Sequence, residues 1–125
     1  MNDLKFNSQL RPNENPHDWD AHIYFENNQL EIITELKNKL ISEFDPKDVF
    51  VGNIFPYPIG PHTLPMLEIN FGEKDFKEVV LFLVKHRNKL NILVHSISDS
   101  DYLDHTEGAI WLGQTVPLKL ELFKN

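Results

Sequence analysis

Apolar and polar positions along the chain alternate in two periods, and the switches between them divide it into elements. Residues Trp19 to Phe25 (WDAHIYF) form an aromatic-rich run bounded by polar residues, which predicts a strand. Asn27 and Asn28 can then cap a helix running from about Gln29 to Phe44. Leu30, Ile33, Leu36, Leu40 and Phe44 recur there at helical spacing with Lys37 at the stripe's edge, and Asp45-Pro46 stops the helix. Val49 to Phe55 predicts a second strand and Leu64 to Phe71 a third. The stiff loop between them contains Pro56, Pro58, Gly60 and Pro61. Gly72 leads into a second helix, about Lys74 to Arg87, with Phe76, Val79, Val80, Leu83 and Val84 facing inward. Leu90 to His95 is a fourth strand. An acidic loop, Ser96 to Glu107, and a short apolar stretch, Ala109 to Leu112, precede an alternating segment, Val116 to Phe123, which reads as an extra edge strand.

The order strand, helix, strand, strand, helix, strand is that of an α+β, ferredoxin-like βαββαβ sandwich. It implies an antiparallel sheet with two helices on one face and an extra C-terminal strand. Residues 1–16 read as a loose N-terminal arm broken by Pro12 and Pro16, and residues 17–125 as one domain.

Composition narrows the function classes. The chain has 125 residues, one domain's worth, and carries 12 basic and 19 acidic residues for a net charge of −7. An acidic surface without a basic cluster argues against nucleic acid as a partner. No apolar run approaches the roughly 20 residues of a membrane span, which argues against a membrane partner. The polar, Asn-rich start lacks the basic and apolar regions of a secretory signal, so the expectation is a cytoplasmic protein. Cysteine is absent, which removes thiolate chemistry and Cys-type metal sites. Any metal must be held by nitrogen and oxygen. Six histidines make that feasible: His17, His22, His62, His86, His95 and His105.

Strand alternation sorts these histidines. On the first strand Ala21, Ile23 and Phe25 should face the helices, so His22 and Tyr24 face the other way. By the same rule Met66, Glu68 and Asn70 of the third strand, and Asn91, Leu93 and His95 of the fourth, point to the open face. His22, Glu68 and His95 thus project from three adjacent strands about 4.8 Å apart. Two imidazoles and a carboxylate are the facial triad of non-haem Fe(II) oxygenases, which leaves positions free for substrate and O₂. Taken singly, each is more often a polar surface residue; together on one face they are a candidate metal site. His62, in the proline loop, is a solvated loop residue, a fourth ligand or an acid–base group, and His105, late in the acidic loop, is either capped locally by Asp104 or a proton-transfer group. His17 and His86 read as surface residues.

The stretches WDAHIYF, PIGPHTLPMLEINF, LNILVHS and DHTEGAIWLGQTVPLKL together resemble the DOPA 4,5-dioxygenase family over about Trp19 to Leu122. The resemblance implies a ferredoxin-like fold and extradiol cleavage of a catechol such as L-DOPA, with O₂ and a non-haem metal. Fe(II) is the favoured metal, with zinc or another divalent ion as the alternative. The family's motif histidines fall on His22, His62, His95 and His105. After the fourth-strand histidine the family has a Pro and a Thr-Gly-Asp turn. Here the chain reads Ser96-Ile97-Ser98-Asp99-Ser100-Asp101, a departure that bears on substrate identity.

The combined expectation places the metal on His22, Glu68 and His95, with His62 and His105 as catalytic groups. Trp19, Tyr24, Phe55 and Tyr57 would hold the ring of a small aromatic substrate. The competing expectation is a non-catalytic ferredoxin-like module that binds a metal or a small aromatic ligand. A homodimer closing the open sheet face is the expected assembly.

Overall fold

The computed structural model describes residues 18–123; the N-terminal arm and His17 lie outside them. Five strands form one antiparallel sheet: β1 (Trp19–Tyr24), β2 (Val49–Phe55), β3 (Met66–Phe71), β4 (Asn91–Ser96) and β5 (Ala109–Leu112), in the order β2-β3-β1-β4-β5. Two helices, α1 (Leu30–Glu43) and α2 (Phe76–His86), pack on one face, and one helical turn, α3 (Asp101–Asp104), lies between β4 and β5. The ferredoxin-like α+β architecture is as the sequence predicts. Among the described residues, no helix is long and apolar enough to cross a membrane.

Apolar burial fixes which side each strand residue takes. Ala21, Ile23, Leu67, Ile69, Ile92 and Val94 have no exposed surface and meet Ile33, Leu36, Leu40, Val79 and Leu83 of the helices. The ends of both predicted stripes turn outward, with Leu30 and Val84 each 52% exposed. Register is set by the same burial, since a one-residue slip would send the polar set into this core. It places His22 opposite Glu68 on β3 and opposite Leu93 on β4. Asp20 faces Asn70 and His95 in the same way. β2 carries a register shift between Val51 and Ile54, a bulge at Gly52-Asn53, after which Phe55 sits opposite Met66.

The second sheet face is covered by the chain itself. Tyr24, Met66, Leu93 and Val116 form a smaller buried cluster, edged by Leu64, Trp111 and Leu118. The extra strand is therefore not Val116 to Phe123. It is Ala109–Leu112, which pairs with β4. The Val116 segment instead crosses this face, making a single bridge from Leu118 to His62 and ending in a 3₁₀ turn, Leu120–Phe123. Lys119 N–H donates to the Pro61 carbonyl at 2.8 Å, and the Thr63 hydroxyl donates to the Pro117 carbonyl at 2.6 Å. The alternation was informative, because Val116 and Leu118 do form an apolar side. Pro117 cannot donate to a ladder, and that side packs onto the sheet's face rather than along its edge. The expected dimer rested on an uncovered face, and part of that face is covered from within the chain.

The crossing segment is stabilised by apolar contact, so a charge at its buried anchor should detach it. Val116 is 6% exposed. The variant Val116→Asp should bind 8-anilinonaphthalene sulfonate much more strongly than the parent while keeping its far-ultraviolet circular dichroism, because the sheet beneath remains paired. Equal dye fluorescence in the two proteins would show that the segment does not seal the face.

Candidate metal centre

The face opposite the helices carries a buried polar patch. Asp20, His22, His62, Glu68, Asn70, His95 and Asp104 are each no more than 6% exposed. His22 comes from the middle of β1 and His95 from the end of β4. Their Nε2 atoms stand 3.1 Å apart, with the rings nearly parallel at 18°. His105 caps the C-terminal end of α3 and packs against His95 with ring centroids 4.2 Å apart and the rings tilted by 40°. The donor atoms that His22, His95 and His105 offer all lie within 4.8 Å of one another.

Local chemistry aims these rings. His95 Nδ1 lies 2.9 Å from the Ser96 carbonyl, and His105 Nδ1 lies 2.7 Å from the Asp101 carbonyl. A carbonyl only accepts, so each Nδ1 carries the proton and each Nε2 presents its lone pair. This is how histidines are oriented toward a metal. The turn that delivers His105 is built from side-chain caps. Ser100 Oγ accepts from Leu103 N–H. Asp104 accepts from the Ser98 N–H and hydroxyl at 2.8 and 2.7 Å. The serines of the divergent stretch after His95 thus shape this turn.

His62 completes the group from the proline loop. Its ring lies 4.2 Å from that of His22, and its Nδ1 is 2.7 Å from the Tyr24 hydroxyl. Burial pushes the His62 imidazolium down to about 3, helped by neighbouring His105 and His95. Burial also raises Tyr24, with Glu68 adding to the effect. A protonated phenol beside a neutral imidazole makes the Tyr24–His62 contact a hydrogen bond between two uncharged groups. His105 is lowered as well, by burial first and then by His95, and its bond to Asp101 opposes that shift.

The expected ligand Glu68 lies elsewhere in the cluster. One of its oxygens is 3.9 Å from His22 Nδ1, on the far side of that ring from Nε2, and the other accepts from Asn70 Nδ2 at 2.9 Å. The three residues whose donor atoms converge are His22, His95 and His105. Tyr24 and Phe55 share the site face. Trp19 does not: it packs on Phe76 across the helix-side core, ring centroids 4.6 Å apart, as its parity with Ala21 and Ile23 dictates. Tyr57 is 59% exposed on an outer groove with Pro56, Pro58 and Pro65. His86 packs on Phe82 at the helix surface.

Sequence reasoning missed Trp111, which stacks on Tyr24 at 6.1 Å, and Phe123, which lies 4.5 Å from His105. It also assigned no role to Asp20. The signal for Asp20 was present, since it lies two residues before His22 and so takes the same face.

The profile of the Dopa 4,5-dioxygenase family matches residues 19–122. The chain belongs to that family. It is similar to the DOPA 4,5-dioxygenase of Amanita muscaria, at 30% identity over 82% of this chain and 48% of that protein. An uncharacterised 21.2 kDa protein of Botryotinia fuckeliana is 35% identical over 85% of this chain and 63% of its own length. The chain therefore spans about half to two thirds of these curated relatives. A crystal structure of a candidate dioxygenase from Nostoc punctiforme superimposes with a TM-score of 0.79 at 31% identity, covering 85% of this chain and 90% of that one. Within the matched residues, the block PIGPHTLPM carries His62 and the block DHTEGAIWLG carries His105. The fold brings both against the strand histidines.

The donor set fits a divalent ion. Two nitrogens about 2.1 Å from a common ion, at right angles, lie about 3.0 Å apart, close to the His22–His95 spacing. Substituting His22, His95 or His105 with Ala should abolish stoichiometric binding, measured by metal analysis after dialysis against Co(II) or Zn(II). Glu68→Gln should bind a full equivalent, about tenfold more weakly, because it alters only the orientation of His22. A Glu68→Gln protein that holds no metal would instead place Glu68 among the ligands.

Proposed function

We propose that this chain is a dioxygenase that opens the ring of a small catechol, of the L-DOPA type, with O₂ and a non-haem divalent metal, Fe(II) by preference. His22, His95 and His105 would hold the ion. The observation that carries this reading is the convergence of three imidazole donors, two of them with Nδ1 tied to a carbonyl. Family membership and the Nostoc punctiforme likeness support an oxygenase, and the name of the Amanita muscaria relative supports a catechol substrate.

When bound, such an ion supplies Lewis acidity toward catechol oxygens and electrons for the reduction of O₂. The chain's own residues supply the rest. His62 is neutral and fixed by Tyr24 through Nδ1, so its Nε2 would exchange a hydrogen bond or a proton with the substrate's oxygens. Tyr24, Trp111 and Phe123 line the surroundings with aromatic surface and restrict water. Phe55 shares that face and offers a side wall for a planar ring.

Oxygen uptake on adding L-DOPA or catechol to Fe(II)-loaded protein tests the reading, with catechol loss followed in parallel. The expected result is equimolar consumption of O₂ and catechol. His62→Ala should lower kcat about 10²- to 10⁴-fold with its metal retained. Tight metal binding without oxygen uptake from any catechol would favour the non-catalytic binding module instead.

A further inference from the structure

Three neutral imidazoles leave a divalent ion with both of its charges uncompensated, and in a site this buried such an imbalance is costly. Asp20 lies where an opposing charge is needed. Its carboxylate is on β1, two residues from His22 and directly across from His95, and the residue is 6% exposed. Its Oδ2 stands 3.9 Å from His95 Nε2, the nitrogen that His95 offers to the ion, whereas Glu68 faces the Nδ1 side of His22.

The position of Asp20 is set by Asn70, which is 1% exposed on β3. Asn70 Nδ2 donates to Asp20 Oδ1 at 2.6 Å and to Glu68 Oε2 at 2.9 Å. Both acceptors are carboxylate oxygens, so only the amide's NH₂ end can serve them, and its orientation is unambiguous. Asn70 Oδ1 has no hydrogen-bond partner among the described residues. The amide is therefore held by its donor end alone, as a clip between a carboxylate on the donor side of the His22–His95 pair and one behind it.

We propose that Asp20 is the anionic partner of the metal centre, held beside the ligand nitrogen of His95 by Asn70, which acts as a positioning residue. The assignment rests on the reading of His22, His95 and His105 as metal ligands. It adds a negative charge to an otherwise neutral donor set and makes divalent cations the favoured occupants.

Co(II) and Zn(II) titrations of the metal-free full chain test it. Affinity is read by competition with a chromophoric chelator, and the environment of Co(II) by its visible absorption. Asp20→Asn keeps the shape and an acceptor for Asn70 but removes the charge. It should weaken binding of both ions about 10- to 100-fold and change the Co(II) spectrum. Asp20→Glu restores the charge and should recover part of the affinity. Asn70→Ala leaves the charge but releases it, and should weaken binding about 10-fold. Glu35→Gln, which removes an exposed carboxylate on α1, controls for net charge and should bind as the parent does. Parental affinity and spectrum in Asp20→Asn would overturn the proposal and leave Asp20 a structural residue. Should Asp20→Asn fail to fold, parental affinity in Asn70→Ala would overturn it equally. A parent chain that binds neither ion would sink the metal centre itself, an outcome distinct from a parent that binds and a variant that matches it.

Discussion

His22 Nε2 and His95 Nε2 face each other at 3.1 Å inside a buried patch, and much of the site's organisation follows from that approach. The bond from His95 Nδ1 to the Ser96 carbonyl leaves the His95 Nε2 with a lone pair. That lone pair either accepts a proton from His22 Nε2 or is open, with it, to a cation. The fold gives this approach rigid backing and nearby carboxylates. β1 and β4 are hydrogen-bonded neighbours that cannot separate without breaking the central sheet, and the carboxylates of Asp20 and Glu68 stand within 3.9 Å of the two rings.

That rigidity comes from the opposite side of the sheet. The helix-facing residues fix the register by burial, and register decides which polar groups meet on the reverse. The polar face is in turn shielded by the Tyr24–Met66–Leu93–Val116 cluster and the crossing C-terminal segment, which lower the local dielectric and strengthen every charge interaction beneath them. Apolar packing on both faces thus sets the electrostatics of the patch between.

Strand alternation made the architecture legible, together with the placement of His22, Glu68 and His95 on one face. Alternation specifies a face, however, and not a side of a ring. Whether Glu68 meets Nδ1 or Nε2 of His22 depends on rotamers and cross-strand neighbours, so a carboxylate on the right face came to lie behind the ring it was expected to accompany. His105 was recognised as a site residue but not as a companion of the strand donors, because its position depends on a four-residue turn whose geometry is written in caps rather than in periodicity. Trp19 shows the reverse case, since its parity with Ala21 already sent it to the helices and aromatic character alone suggested otherwise. The Val116 segment has a strand's pattern with a proline inside it. Periodicity revealed its apolar side, and nothing local could say what that side would cover.

The turn carrying His105 differs in kind from the strands carrying His22 and His95. It is a single helical turn, tied by Ser98, Ser100 and Asp104 to one another and to its own backbone. So short a helix has no stability in isolation. Its order therefore belongs to the same equilibrium as whatever the third imidazole holds, and the two are thermodynamically linked. An ion held there would stabilise the turn, and loosening the turn would weaken the hold by an equal free energy. On the proposed reading, the stretch between β4 and β5 would tune retention of an ion through substitutions that never touch it, while the sheet and its two histidines stay as they are.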